Sequence, residues 1–348
     1  MNNIGLIFDS SYKIGGGHFW RCYNLAKTLR IKKKEFFFIS NKLNQNFIKI
    51  LNEDKFNYIK LDQLNNFSKI QKIIENKDIN ILISDCYKLR PNIKSKIKKI
   101  VDKLIVIDDH VNQKHNCDIY INNNFMDDNT KIKIKKLNPN TRLFLGHRYF
   151  IHNHDFSKLK KKKKITKKIK KVFAFFGSSD PSNETLKFIK AIENFANLKF
   201  KILIGKLNKN YLKIKSYCKN KKNIKIFYNL NNYSALKVIE NVDFSFGSGG
   251  INLTERLFLG IPSVVVCTAS NQKKALNALQ KKKVIHYLGD NKKTNTLKIR
   301  KCMNKFLENK MMVSQLSNKT NFFYTKNIKL NLLQRKLSFI INKKDKFN

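Results

Sequence analysis

Ile4–Arg30, IGLIFDSSYKIGGGHFWRCYNLAKTLR, reads as a buried strand, a glycine turn ending in a histidine, and an amphipathic helix. Ile4, Leu6, Ile7 and Phe8 form a short apolar run bounded by polar residues, as expected of a strand covered on both faces. Gly15, Gly16 and Gly17 strip the turn of side chains, so a ligand can approach the backbone. Phe19, Cys22, Tyr23, Leu25, Ala26 and Leu29 then recur at three- and four-residue steps, which puts one apolar stripe of a helix against a sheet. The first turn of that helix directs unpaired N–H groups and a positive dipole end toward whatever the glycines expose. His18 therefore stands beside an anion-binding turn at the carboxyl end of a first strand, where open α/β sheets place their ligands. A lone histidine after a glycine run can also serve merely to start a helix. Trp20 occupies the third glycine position of G-x-G-x-x-G, which disfavours a dinucleotide.

The same alternation continues outward. Strand patterns at 35–40, 58–61, 79–84, 104–107, 119–121 and 142–145 are separated by helical or loop patterns. Lys158–Lys171, KLKKKKKITKKIKK, is too charged for a core and reads as a linker. Beyond it the plan restarts with VFAFF at 172–176, where Asp180 is expected to cap a helix and Pro181 to occupy its first position. Strands at 200–204, 224–228, 244–246, 263–267 and 284–287 follow, and a helical tail runs from Thr294. The expected fold is α/β of GT-B type: two Rossmann-like parallel-sheet domains facing a central cleft, residues 1–157 and 172–348, with residues 158–171 between them.

Composition narrows the function. The chain has 348 residues, 42% of them hydrophobic, enough for two cores. No apolar run approaches the ~18 residues of a membrane span, and Met1-Asn2-Asn3 leads directly into a strand with no signal-peptide pattern. A cytoplasmic monomer is expected. Six cysteines without a C-x-x-C pair read as reduced, buried hydrophobes. The net charge of +48 invites a nucleic-acid reading, but the excess is mostly lysine spread over every helix, with no arginine cluster or nucleic-acid module. It accompanies a surplus of Asn, Ile and Phe, a bias that AT-rich coding writes on any surface. No nucleic-acid or membrane partner is expected. The field still attracts anionic substrates.

Two glycine turns, one per half, each precede a helix. In Gly247–Glu255, GSGGINLTE, backbone N–H groups can cradle a diphosphate while Glu255 accepts from ribose hydroxyls. There is no G-x-x-x-x-G-K-[ST] loop, which argues against ATP hydrolysis. Asp108 and Asp109 are paired carboxylates after a strand, but nothing near them in sequence completes a metal set, so neither metal nor cofactor is expected.

With these segments assembled, the chain resembles the PseG family, the inverting UDP-2,4-diacetamido-2,4,6-trideoxy-β-L-altropyranose hydrolases of pseudaminic acid biosynthesis. The resemblance rests on IGGGHFWRC at 14–22, SDCY at 84–87, VIDDH at 106–110, Cys117-Asp118, GSSDPSN at 177–183, GSGGINLTERLFLGIP at 247–262 and Asn271-Gln272. It implies a metal-independent hydrolase with His18 as general base. Substrate contacts would come from Gly15, Gly16, Gly17, Arg21, Asp85, Tyr87, Asn271 and Gln272. UDP would be held by Gly177, Ser178, Ser179, Ser248, Gly249, Gly250, Asn252 and Glu255. Ile7 stands where the family often carries Arg, and Ser178 where it often carries Gly, which leaves the sugar open. A GT-B glycosyltransferase or a non-catalytic nucleotide-sugar-binding or polyanion-binding protein are the alternatives. The chemistry suits the residues: a sugar diphosphate already has a good leaving group, so backbone donors that stabilise it and one histidine that activates water suffice. A single base attacking from the face opposite the leaving group inverts the anomeric centre.

Overall fold

The computed structural model describes residues 3–9, 16–29, 34–159, 165–327 and 331–342. The chain divides into two compact units, Met1–His154 with Lys329–Asn348, and Asp155–Ile328.

The first unit is built on β1 (Asn3–Phe8), β2 (Phe36–Ser40), β3 (Asn57–Lys60), β4 (Ile79–Asp85), β5 (Lys103–Ile107), β6 (Ile119–Asn122) and β7 (Arg142–Leu145). They pair in the order β3-β2-β1-β4-β5-β6-β7, every pair parallel. The FFFIS strand β2 is buried throughout, and Leu82, Leu104 and Tyr120 from successive strands meet in one core. Runs this apolar satisfy a parallel sheet covered on both faces. The strand order reverses between β1 and β4, whose last residues Phe8 and Asp85 lie side by side. Crossover chains leave these two strand ends in opposite directions and open a crevice there.

The second unit repeats the plan. β8 (Lys171–Phe175), β9 (Lys199–Ile204), β10 (Ile224–Tyr228), β11 (Phe244–Ser248), β12 (Ser263–Cys267) and β13 (His286–Asp290) form a parallel sheet ordered β10-β9-β8-β11-β12-β13. Its order reverses between β8 and β11, so the glycine turns after both strands flank one switch point. The fold class expected from the sequence, α/β with two Rossmann-like parallel sheets of GT-B type, is the one observed.

Differences have local causes. Helices Asp128–Leu137 and Tyr211–Tyr217 each bury one residue, Ile134 and Ile214, so no apolar stripe announces them. The helix expected straight after Asp180 begins at Glu184, because Asp180 and Asn183 adopt positive φ of 40° and 55° and the chain turns once more first. Pro181 sits in that turn. Asp180 still caps the helix, its two carboxylate oxygens accepting from the amides of Glu184 and Thr185 at 2.9 Å. The tail is three helices, Thr296–Glu308, Lys310–Asn327 and Leu332–Asn342. The last was expected in the second domain but packs on Gly17–Leu29 in the first unit, with Leu333, Leu337 and Ile341 buried. An amphipathic stripe specifies that it needs a partner and does not name it. Of the expected linker, residues 160–164 lie outside the described residues.

All six cysteines are buried and unpaired. No described helix is long and apolar enough to cross a membrane.

Gly247 carries the tightest packing constraint in β11. A Cβ there would stand 2.2 Å from the Phe175 carbonyl oxygen of the adjoining strand. Gly247→Ala must push β8 and β11 apart, and such overpacking costs about 1–3 kcal/mol. Calorimetry of the variant is expected to show a Tm lower by roughly 2–4 °C per kcal/mol lost. An unchanged Tm would contradict this packing.

Candidate active site

His18 enters at the second position of the helix Gly17–Leu29, and Asp85 is the last residue of β4, the strand beside β1 at the switch point. The His18 Nδ1 is 2.7 Å from Asp85 Oδ1. Arg21, one helical turn after His18, grips the same carboxylate from Nε to Oδ2 at 2.7 Å and from Nη2 to Oδ1 at 2.5 Å. Its Nη1 donates to both oxygens of Asp109 at 3.0 and 3.1 Å, and the Tyr87 hydroxyl donates to Asp109 Oδ2. The Tyr87 ring meets the His18 ring edge-on at 4.6 Å.

This array is largely buried. Asp85 is fully buried, and His18 and Arg21 expose 6% and 7% of their surface. Burial alone would raise the Asp85 pKa, but the charge of Arg21 and the adjacent His18 hold it down to about 2. Burial alone would likewise neutralise Arg21, yet Asp109 and Asp85 raise its pKa well above the ordinary value. Asp85 therefore has no proton to give, and the hydrogen in the 2.7 Å contact belongs to His18 Nδ1. Arg21 Nη2 also lies 3.2 Å from Nδ1. In the neutral tautomer with its hydrogen on Nδ1, Nε2 is the nitrogen that can accept a proton, the arrangement a general base requires.

The other expected residues of this half are placed less uniformly. Gly17 begins the helix, and an added Cβ there would meet nothing within 4 Å. The Gly16 carbonyl accepts from the Trp20 amide at 3.0 Å. Gly15 lies outside the described residues. Asp109, read from the sequence only as half of a carboxylate pair, clamps Arg21 and Tyr87. Asp108 turns away from it to the amide and Nδ1 of His110, both at 2.8 Å. The two carboxylates thus diverge. The one sequence signal for the clamp was position, since Asp109 lies two residues beyond the end of β5, next to β4.

In the second unit, Ser248 ends β11, and Gly250 is the N-cap of the helix Ile251–Phe258 with no side chain capping it. The two glycines of this turn have different causes. At Gly249 a Cβ would strike Leu276 at 2.9 Å, whereas at Gly250 only Gln272 Nε2 stands near, at 3.9 Å. Gly249 is set by packing, and Gly250 leaves its backbone accessible. Gln272 is anchored by accepting from the Thr268 amide and hydroxyl at 3.2 and 3.4 Å, while Asn271 beside it is exposed. Gly177, at φ +104°, follows β8 and has open space where a Cβ would be. Ser178 is half-buried and Ser179 buried. Beneath the turn, the buried Arg256 donates to the Ser248 carbonyl at 2.9 Å and the Ser245 hydroxyl at 3.2 Å. Asn252 Nδ2 donates to Glu255 Oε2 at 3.0 Å, and Asn252 Oδ1 is buried with no hydrogen-bond partner among the described residues. Burial pushes the Glu255 carboxyl up to about 7. The structure thus brings His18, Arg21, Asp85 and Tyr87 together in one unit, and places the Gly177 and Gly250 turns with Glu255 in the other.

No family model matches the chain. It is 29% identical over 291 residues to an uncharacterized protein of Methanocaldococcus jannaschii, which covers 80% of this chain but 58% of that protein, so the chain spans little more than half of that relative. It is 24% identical over 275 residues to the spore coat polysaccharide biosynthesis protein SpsG of Bacillus subtilis, 78% of each chain. Among solved structures it is similar to MurG of Acinetobacter baumannii, with a TM-score of 0.64 and 10% identity over 98% of this chain and 99% of that one. UDP-GlcNAc 2-epimerase from Neisseria meningitidis, bound to UDP-GlcNAc, is similar at a TM-score of 0.65 and 10% identity over 98% of this chain and 100% of that one. At such identity these two solved structures share its GT-B-type architecture, and the likeness extends to the fold alone.

Proposed function

We propose that the protein hydrolyses a UDP-2,4-diacetamido-2,4,6-trideoxyhexose at its anomeric carbon with inversion, releasing UDP. The observation that carries this reading is the His18–Asp85–Arg21 array, an imidazole oriented as a base at a strand-order reversal. Nε2 of His18 takes a proton from water as that water attacks the anomeric carbon, and Asp85 stabilises the imidazolium through Nδ1–H. Tyr87 orders the sugar. The second unit supplies the nucleotide site: amides around Ser248–Asn252 receive the diphosphate, with Gly177, Ser178 and Ser179 beside them, and Glu255 accepts from the ribose. Asn271 and Gln272 contact the substrate. The relationship to a polysaccharide biosynthesis protein and the fold shared with an enzyme bound to UDP-GlcNAc support a nucleotide-sugar as the substrate class.

The direct test is UDP release from a panel of UDP-2,4-diacetamido sugars with no acceptor added, with anomeric NMR of the product. Release supports hydrolysis. No release until an acceptor is supplied supports transfer, the second reading, favoured by the fold shared with MurG.

The nucleotide site carries its own prediction. Ribose hydroxyls donate more strongly to an ionised Glu255 than to its neutral form, and burial pushes that carboxyl up to about 7. Binding is then linked to deprotonation, so UDP affinity weakens as pH falls below about 7, by at most tenfold per pH unit for one linked proton. Calorimetric titration from pH 5.5 to 8.5 is expected to show this step, superimposed on ionisation of UDP itself, and Glu255→Gln is expected to remove it. A step of equal size in the variant would exclude the ribose contact.

A further inference from the structure

A second cavity lies in the first unit between the helix Pro91–Lys98, the segment 114–117 that leads into β6, and the segment 137–141 that leads into β7. It has a volume of about 560 Å3 and shares no lining residue with the His18 array. Its walls are fastened. Asn138 accepts from the His115 amide at 2.7 Å and donates to the Ile134 carbonyl at 3.0 Å. Thr141 donates to the Cys117 carbonyl at 3.1 Å, and Asn116 donates to the Ser95 hydroxyl at 3.2 Å.

Lys94 is the feature without an internal explanation. It is 4% exposed, yet among the described residues its ammonium has no hydrogen-bond or ion-pair partner. Its stem is covered while the ammonium keeps contact with the open space of the cavity, where an anion can reach it. Lys98 and Lys114 line the same cavity, and only Lys98 has a carboxylate, Asp118 at 3.5 Å. His115, in the wall, adds no positive charge at neutral pH: burial, against the opposing pull of Asp108, lowers its pKa to about 4. The cavity therefore holds an excess of cation inside fixed walls. It is lined further by the hydroxyls and amides of Ser95, Asn116 and Thr141 and by the apolar rings of Pro91 and Pro139.

We infer that this cavity binds a phosphoryl group, free or carried by a small metabolite, with the anion on Lys94 and any organic portion against Pro91 and Pro139. The inference stands apart from the reading of the His18 site.

The test is calorimetric titration of the whole protein with inorganic phosphate and, separately, with glucose 6-phosphate, at 0.15 M KCl so that the diffuse field of the +48 chain is screened. One saturable site is expected whose affinity falls at least tenfold in Lys94→Met. Ser95→Asp, a change at a half-exposed helix position that adds a like charge to the ligand's, is expected to weaken it similarly while circular dichroism stays native. Tighter binding of the sugar phosphate assigns a metabolite, and equal binding assigns inorganic phosphate. Absence of saturable binding, or affinity unchanged in both variants, overturns the inference.

Discussion

His18→Ala is expected to lower kcat for UDP release by about 10²–10⁴-fold, the range a positioned general base contributes, while the Kd for UDP stays within twofold of the parent. The two readouts separate because the residue lies in the first unit and the turns proposed to hold the nucleotide lie in the second. Nε2 is the ring nitrogen with no part in the Asp85 contact, so its removal deletes the proton acceptor and leaves Asp85 paired with Arg21. A non-catalytic nucleotide-sugar-binding protein would show no turnover to lose. Equal kcat in parent and variant, with measurable release in both, would remove His18 from the mechanism.

Asp85→Asn is expected to produce the second large effect, through two separable routes. The amide Nδ2 can donate to His18 Nδ1, which drives the proton to Nε2 and abolishes the lone pair. A change of this kind in a histidine–carboxylate pair costs up to about 10⁴ in kcat. The variant also leaves a buried guanidinium with one carboxylate in place of two. Breaking a buried pair costs about 3–5 kcal/mol, and the retained Asp109 contact at 3.0 Å keeps the loss toward the lower figure. Steady-state kinetics at several pH values reads the first route and denaturant unfolding the second. A variant that is destabilised but turns over normally would make Asp85 a purely structural residue. On the proposed reading Arg21 and Asp85 position His18, because among the described residues the fully buried carboxylate of Asp85 is held by His18 and Arg21. The expectation from the resemblance was that both touch substrate.

Much of the fold was legible because parallel strands buried on both faces are written as uninterrupted apolar runs. FFFIS at 36–40 and SVVVC at 263–267 carry no polar alternation and begin or end within a residue of where the sequence places them. The helices that escaped, Asp128–Leu137 and Tyr211–Tyr217, are lysine-rich and rest on single isoleucines, so periodicity had nothing to detect. The return of Leu332–Asn342 to the first unit is a long-range fact about which stripe meets which. At the candidate site, His18 was legible from local grammar alone, a glycine turn between a buried strand and an amphipathic helix. Its partner Asp85 was visible as a strand-end aspartate, but the 2.7 Å contact depends on β1 pairing with β4, 67 residues away along the chain. The clamp by Asp109 requires β5 to come next in the sheet. The distinction between Gly249, set by Leu276, and Gly250, open to a ligand, depends on a side chain 27 residues onward and could not be read from GSGG.

The central claim, that His18 delivers water to an anomeric carbon, is tested most directly by running the reaction in H2¹⁸O and weighing the products. Attack at the anomeric carbon puts one ¹⁸O into the released sugar and none into UDP, and NMR of that sugar taken before mutarotation shows the inverted anomer. Label in UDP would mean that the phosphorus–oxygen bond breaks instead, and it would contradict the account.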